Sequence, residues 1–237
     1  MSTPKYRVIV ADPPWSFKDS LKMSDVARGA AANYKVMSIS DIKQLPIKDY
    51  ADPNGSILAL WIPSSLLQDG LDTMKAWGFK HKQTYVWVKT KKESLGSLRK
   101  SFTKTVKTAL KAGNWDAFQF SDIRDLFVQT ASSFSLTDML SFGMGRLFRQ
   151  THEICLIGTN NNKIYKHLAN KSQRSINFAE NLKHSAKPEH LQNSLEIMFP
   201  KGNKLELFAR RQRTGWVCLG NEICNGEDIT VSLAKLI

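Results

Sequence analysis

The apolar run Val8-Ile9-Val10-Ala11 ends in Asp12-Pro13-Pro14-Trp15, and this junction limits the fold more than any other stretch of the chain. β-branched or small residues, followed at once by residues that cannot extend a ladder, predict a buried strand that stops at Asp12. Ligands of open α/β sheets bind beyond the carboxyl ends of strands, which is where Asp12 falls. Neither proline has an N–H, and Pro14 drives Pro13 toward extended backbone, so the loop is stiff and offers acceptors. That suits an amino group. The Asp12 carboxylate would take one proton of an exocyclic amine on a flat base and the Pro13 carbonyl the other, with Trp15 stacked on the ring, a contact worth about 1–3 kcal/mol. Holding both protons favours the pyramidal, nucleophilic form of an amine whose lone pair is otherwise delocalised. Taken alone, the same residues equally allow Asp12 to cap a turn and Trp15 to be core.

The rest of the chain reads as an α/β sheet. Ser56–Pro63 is an apolar run expected of a strand covered on both faces. A helix over about Ser65–Trp77 puts Leu67, Leu71 and Met74 on one side and ends at Gly78, and Thr84–Lys89 alternates into another strand. This β-α-β rhythm predicts a mainly parallel sheet. Later come a weak strand at Ser175–Ala179, a helix opening at Lys187-Pro188-Glu189 with Leu191, Leu195 and Met198 on one face, and strand-like runs at 204–211 and 216–222. Polar residues 16–35 directly after the first strand predict a lid. One domain is expected over 1–237, with residues 94–142 a basic helical insert. From Lys89 to Lys111 there are eight basic residues (Lys89, Lys91, Lys92, Arg99, Lys100, Lys104, Lys107, Lys111) against Glu93 alone. Leu95, Leu98, Phe102, Val106 and Leu110 recur at helical spacing, so an apolar stripe would dock and the basic face would lie along phosphates or solvent. Ser121 and Ser135 each open a capped helical start.

Asp12-Pro-Pro-Trp15 after an apolar strand resembles the catalytic motif of the permuted, beta-class adenine methyltransferases, the family of the mRNA m6A writer's catalytic subunit and many bacterial and phage DNA enzymes. Tyr34-Lys-Val-Met37 before a short helix, Trp87-Val-Lys89, and the glycine-containing turn from Phe142 into Thr151-His152-Glu153 are similar to further family segments in the expected order. So are Lys187-Pro188, and Lys204–Arg211 followed by Trp216–Glu222. The resemblance implies a circularly permuted, Rossmann-like class I methyltransferase fold using S-adenosylmethionine, with catalysis at Asp12, Pro13, Pro14 and Trp15. It implies Lys187 on the methionine carboxylate of the cofactor, and Arg210, Asn221 and Glu222, with Glu206 and Phe208 as neighbours, on its ribose and adenine. Tyr34, Lys89, Lys91, Lys92, Arg99, Lys100 and Lys104 would face nucleic acid. The chain departs from the family at Gln212 and Arg213 and in the length of the 94–142 stretch. His152-Glu153 carries no expected chemistry beyond positioning, because adjacent strand residues face opposite ways and no partner ligands stand at metal spacing.

Composition narrows the classes. A net charge of +13 and a pI near 9.7 imply a polyanionic partner, nucleic acid first. DNA is the expected substrate, with RNA methylation or a non-catalytic nucleic-acid-binding subunit as alternatives, and a homodimer or a methyltransferase-like subunit as the protein partner. No G-x-G-x-x-G is present, which removes the main support for a nicotinamide reading. Cys155, Cys218 and Cys224 lack metal spacing and are expected as buried thiols of a reducing compartment, cytoplasmic or, in a eukaryote, nuclear. No run is long enough for a signal or a membrane span.

Overall fold

Strand β1 (Val8–Ala11) forms where the sequence predicts it, and all of its side chains are buried. Its neighbours are β2 (Ile57–Ile62), equally buried, and β6 (Lys204–Leu207), both parallel to it. The structure, a computed structural model, describes residues 3–16, 36–92, 136–143, 147–181, 186–223 and 225–236, with scattered helical positions between 96 and 128. The remaining strands are β3 (Lys80–Thr90), β4 (His152–Thr159), β5 (Ile176–Glu180) and β7 (Val217–Leu219). They join a seven-stranded sheet of order β5-β3-β4-β2-β1-β6-β7. The β6–β7 pair is parallel and the β2–β4 pair antiparallel. With Asp12-Pro13-Pro14-Trp15 following β1 and β6 late in the chain, the sheet has the Rossmann-like arrangement in the permuted order that the resemblance implies.

Helices α1 (Ile39–Gln44), α2 (Leu67–Ala76), α3 (His190–Met198) and α4 (Ile229–Ala234) complete the described elements, with short 3-10 turns between. Ser38 caps α1 by accepting from the Asp41 N–H at 3.1 Å. The core cluster runs from Ile9 and Ala11 through Leu58, Leu60 and Leu205 to Trp77 and Leu233. Tyr50 fastens α4 by donating its hydroxyl to the Leu233 carbonyl at 2.8 Å.

Several expectations are corrected. The segment after β2 enters as a 3-10 turn (Ser64–Leu66), so Leu67 becomes the first α-helical residue and is 44% exposed rather than on the packed side; Met74 alone of the predicted three is fully buried. Pro188 does not sit in the first turn of α3, which opens at His190 behind Glu189. The strand predicted from Thr84 starts four residues earlier, at Lys80, where exposed polar side chains hid it from pattern reading. Ser135 is followed by a 3-10 turn, Leu136–Met139, instead of an α-helix. Lid residues 17–35, with Tyr34, and Leu95, Leu98, Phe102, Leu110, Gly145 and Cys224 lie outside the described residues.

Contacts divide the chain into two units, Met1–Trp87 with Glu153–Asn177 and Ser185–Ile237, and Val88–His152 with Phe178–His184. In the second, Arg99, Lys100, Lys104, Lys107 and Lys111 are helical and exposed. No described helix is long and apolar enough to cross a membrane.

Within the first unit, α2 lies tight on the sheet at Gly70, where an added Cβ would stand 2.7 Å from Ile62 Cγ2. A Gly→Ala change gains about 1 kcal/mol of helix propensity, but overpacking against a β-branched side chain costs about 1–3 kcal/mol. Packing therefore wins. Gly70→Ala is expected to lower the urea midpoint of unfolding, and an unchanged or higher midpoint would show that α2 can lift off the sheet.

Candidate active site

Parallel pairing decides which residues meet beyond the strand ends. Ala11 stands opposite Leu60 on one side and Leu207 on the other, so Asp12, Trp61 and Phe208 follow on three adjacent strands. Pro13 and Pro14 then turn the chain. The Trp15 N–H donates to the Pro13 carbonyl at 2.9 Å and the Met37 N–H to the Pro14 carbonyl at 2.9 Å, which fixes the loop from both sides.

Trp15 departs from its expected role. Its ring is 4% exposed within the core cluster, and its indole N–H donates to the Trp61 carbonyl at 2.9 Å. It locks the proline loop onto the end of β2 instead of offering a face for stacking. The apolar ring and its single donor both find partners inside, which is the ordinary fate of a buried tryptophan.

Lys187 arrives from the segment before α3 and places its ammonium between two carboxylates. Nζ donates to Asp12 Oδ1 at 3.1 Å and Oδ2 at 2.9 Å, and pairs with Glu153 Oε2 at 3.2 Å; it also stands 5.6 Å from the Trp61 ring centroid. Burial alone would pull the ammonium's pKa down, but Asp12 and then Glu153 outweigh it and hold the pKa above its ordinary value, so Lys187 is charged. The expectation for Lys187 placed it on a cofactor; here both of its ionic partners are protein carboxylates. Glu153 was assigned positioning only. Cys155, two residues on along β4 and so on the same face as Glu153, is fully buried.

A cleft of about 560 Å³ opens beside this cluster. Asp12, Pro13, Pro14, Lys187, Phe208, Arg210, Asn221 and Glu222 line it, which brings together most of the predicted catalytic and cofactor residues. Arg210 Nε lies 3.5 Å from Glu222 Oε1. Phe208 holds φ +59°, a left-handed conformation that a bulky residue adopts only when its surroundings impose it. The imposing contact is next door. Ala209 donates its N–H to the Leu219 carbonyl at 2.8 Å, and a Cβ on Gly220 would collide with the Ala209 backbone. The turns after β6 and β7 thus interlock.

Glu206 does not line this cleft. Its carboxylate accepts from Gln192 Nε2 at 3.0 Å and borders an adjacent pocket of about 40 Å³ shared with Asp12 and Lys187. Burial raises its pKa. The site residues expected from the sequence did not include the rest of the lining, Val36, Met37, Ser38, Asp41, Gln44, Leu45 and Pro46 and Asp228-Ile229-Thr230. The latter had a readable signal: Asp228 caps α4, accepting from the Thr230 N–H at 2.9 Å, ahead of Ile229 and Leu233 at i, i+4 spacing. Of the predicted nucleic-acid residues, Lys89 is half-buried and Lys91, Lys92, Arg99, Lys100 and Lys104 are exposed on the second unit.

The chain matches the MT-A70 family over residues 6–114 and 126–222. Among curated proteins it is similar to a probable N(6)-adenosine-methyltransferase MT-A70-like protein of Oryza sativa subsp. japonica, 23% identical over 222 residues, which is 92% of this chain and 23% of that protein. It is also similar to the human N(6)-adenosine-methyltransferase catalytic subunit METTL3, 22% identical over 221 residues, 92% of this chain and 28% of that protein. The N6-adenosine-methyltransferase non-catalytic subunit MTB of Arabidopsis thaliana is 31% identical over 103 residues, 43% of this chain and 12% of that protein. The chain spans about a quarter of the length of the rice and human relatives. With the family matched over most of its length and Asp12-Pro13-Pro14-Trp15 set at the end of an interior strand, this protein belongs to the MT-A70 family.

Proposed function

We propose that this protein transfers a methyl group from S-adenosylmethionine to the N6 amine of adenine in DNA. The observation that carries the reading is the pair of acceptors at the end of β1, the Asp12 carboxylate and the Pro13 carbonyl, on the wall of the 560 Å³ cleft. A cleft of this size falls in the range of small-molecule sites, about 300–1,000 Å³. Its polar lining fits the cofactor: Arg210 for a carboxylate or hydroxyls, Asn221 and Glu222 for ribose and adenine edges, while the three donors of Lys187 are taken by Asp12 and Glu153. When bound, S-adenosylmethionine would supply an electrophilic methyl on a sulfonium.

The protein's own part is orientation and charge. Asp12 has about four lone-pair sites as a carboxylate, and Lys187 takes one on each oxygen, so both oxygens can still accept from an amine. Pro13 keeps one carbonyl lone pair beyond the one given to Trp15. As the methyl's bond to sulfur broke, leaving a neutral thioether, and its bond to nitrogen formed, the amine nitrogen would become positive and one of its protons would pass to the Asp12 carboxylate or to water. Glu153 neutralises Lys187 so that the charge of Asp12 faces the amine undiminished. The basic residues of the second unit supply phosphate contacts, each steepening the log–log salt dependence of binding by about 0.7–0.9.

RNA is the second reading, favoured by the printed names of the relatives, which are adenosine methyltransferases. Transfer of labelled methyl to duplex DNA, single-stranded DNA and RNA, with product nucleosides resolved, separates the two. The similarity to MTB raises a partner-dependent or non-catalytic role, which the same assay exposes as binding without transfer.

Asp12→Asn is expected to cut transfer by about a hundredfold or more, since a lost charged acceptor at the reacting atom is worth about 3–4 kcal/mol. Cofactor binding should survive; near-normal turnover would remove Asp12 from the chemistry. Glu153→Gln is expected to slow transfer roughly tenfold to a hundredfold, because the cluster loses its net negative charge at low effective dielectric, with cofactor affinity unchanged. A rate equal to wild type would show that Glu153 is only structural. Asn221→Ala should weaken cofactor binding about tenfold by calorimetry, while leaving affinity for nucleic acid untouched.

A further inference from the structure

In the second unit, Gly143 and Gln150 exchange both of their backbone hydrogen bonds, at 2.8 and 3.2 Å, and close a short antiparallel loop. The base of that loop is stitched to the end of β3 on both flanks, by the Ser141 N–H to the Lys89 carbonyl at 2.9 Å and the Lys89 N–H to the Thr151 carbonyl at 2.8 Å. Next to these backbone anchors, Leu147 stands at 93% exposure and Phe148 at 86%, the two most exposed large apolar side chains among the described residues. Phe142 is 59% exposed, with the Arg149 guanidinium 5.9 Å from its ring centroid.

We propose that Leu147 and Phe148 insert into the base stack of duplex nucleic acid, with Arg149, Lys89 and Lys91 on the flanking phosphates. Apolar wedges set in a basic surface are the device by which proteins unstack and bend a duplex. The surrounding charge selects this occupant. The same unit presents exposed Lys91, Lys92, Arg99, Lys100, Lys104, Lys107 and Lys111, and a second copy of a +13 chain would bring like charge against like. A polyanion with apolar faces between its charges satisfies both features, and bases between phosphates are such a ligand. This inference rests on the reading that nucleic acid is the partner, and adds how the duplex is engaged.

The test is fluorescence anisotropy with a short labelled DNA duplex and the same duplex carrying a central abasic site, whose base stack is already interrupted. The full chain is expected to bind the abasic duplex about tenfold or more tightly, because unstacking is no longer required. Leu147→Ser/Phe148→Ser should abolish that preference while keeping the salt slope, since its phosphate contacts remain. Lys91→Ala/Lys92→Ala should do the reverse, lowering the slope and keeping the preference. Both pairs are solvent-facing, so an unchanged melting temperature certifies the fold. Equal binding of the two duplexes by the wild type, or an undiminished preference in the Leu147/Phe148 variant, overturns the wedge while leaving the methyltransferase reading intact. A wild-type dimer that this variant dissolves without altering duplex preference overturns it in favour of a protein contact. No binding to either duplex removes the wedge and the DNA reading together, whereas methyl transfer with no abasic preference removes the wedge alone.

Discussion

One ammonium between two carboxylates organises the candidate site. Lys187, Asp12 and Glu153 come from three distant parts of the chain, and their side chains are mostly shielded from water. A charge in such a place survives only when it is paired and hydrogen-bonded. Lys187 could not be replaced by an apolar residue at little cost, because its removal would leave two shielded carboxylates without their counter-charge, a loss of about 3–5 kcal/mol. The cluster therefore ties β1, β4 and the segment leading into α3 at their functional ends, where the sheet's own ladders have stopped.

The backbone near this cluster shows the same economy. Asp12 stands at the strand end because the prolines forbid another ladder bond, and Trp15 pins the loop because its indole N–H has the Trp61 carbonyl to reach. On the far wall of the cleft, the Phe208 turn is held in the left-handed region by contacts that only a glycine at 220 permits. Between these turns Arg210, Asn221 and Glu222 line the cleft, the first and last of them ion-paired. On the proposed function, a site that receives cofactor and base in register gains from having its acceptors fixed.

Much of this was legible in the sequence, and the failures have physical causes. The interior strands at 8–11 and 57–62 announce themselves because burial on both faces leaves no polar positions. Lys80–Gln83 of β3 did not, since exposed polar residues carry no alternation to read. Proline at 188 suggested a helix start two residues early, because the fixed φ that suits a first turn also suits the extended approach to a cap. Trp15 was misassigned for a related reason: residue type says that an indole buries its face, but only the fold says against what. Glu153 escaped because its partners are Lys187 and, through it, Asp12, and no local spacing encodes a contact across so much chain. Residue types at strand ends were readable; pairings between ends were not.

The charge count of the cluster gives the deepest constraint on its chemistry. Asp12 with Lys187 alone would be neutral, and a neutral pair offers little to a nitrogen that becomes positive as it gains a methyl group. Glu153 makes the set net negative without touching the substrate loop. At an effective dielectric near 20, a unit charge about 7 Å away is still worth roughly 2 kcal/mol, which is enough to alter a rate by more than tenfold. The same excess negative charge would disfavour a phosphate beside Asp12. One end of the sheet would then attract a forming cation and reject the backbone of the molecule that carries it, so that only a base, separated from its phosphates, is electrostatically admissible at Asp12.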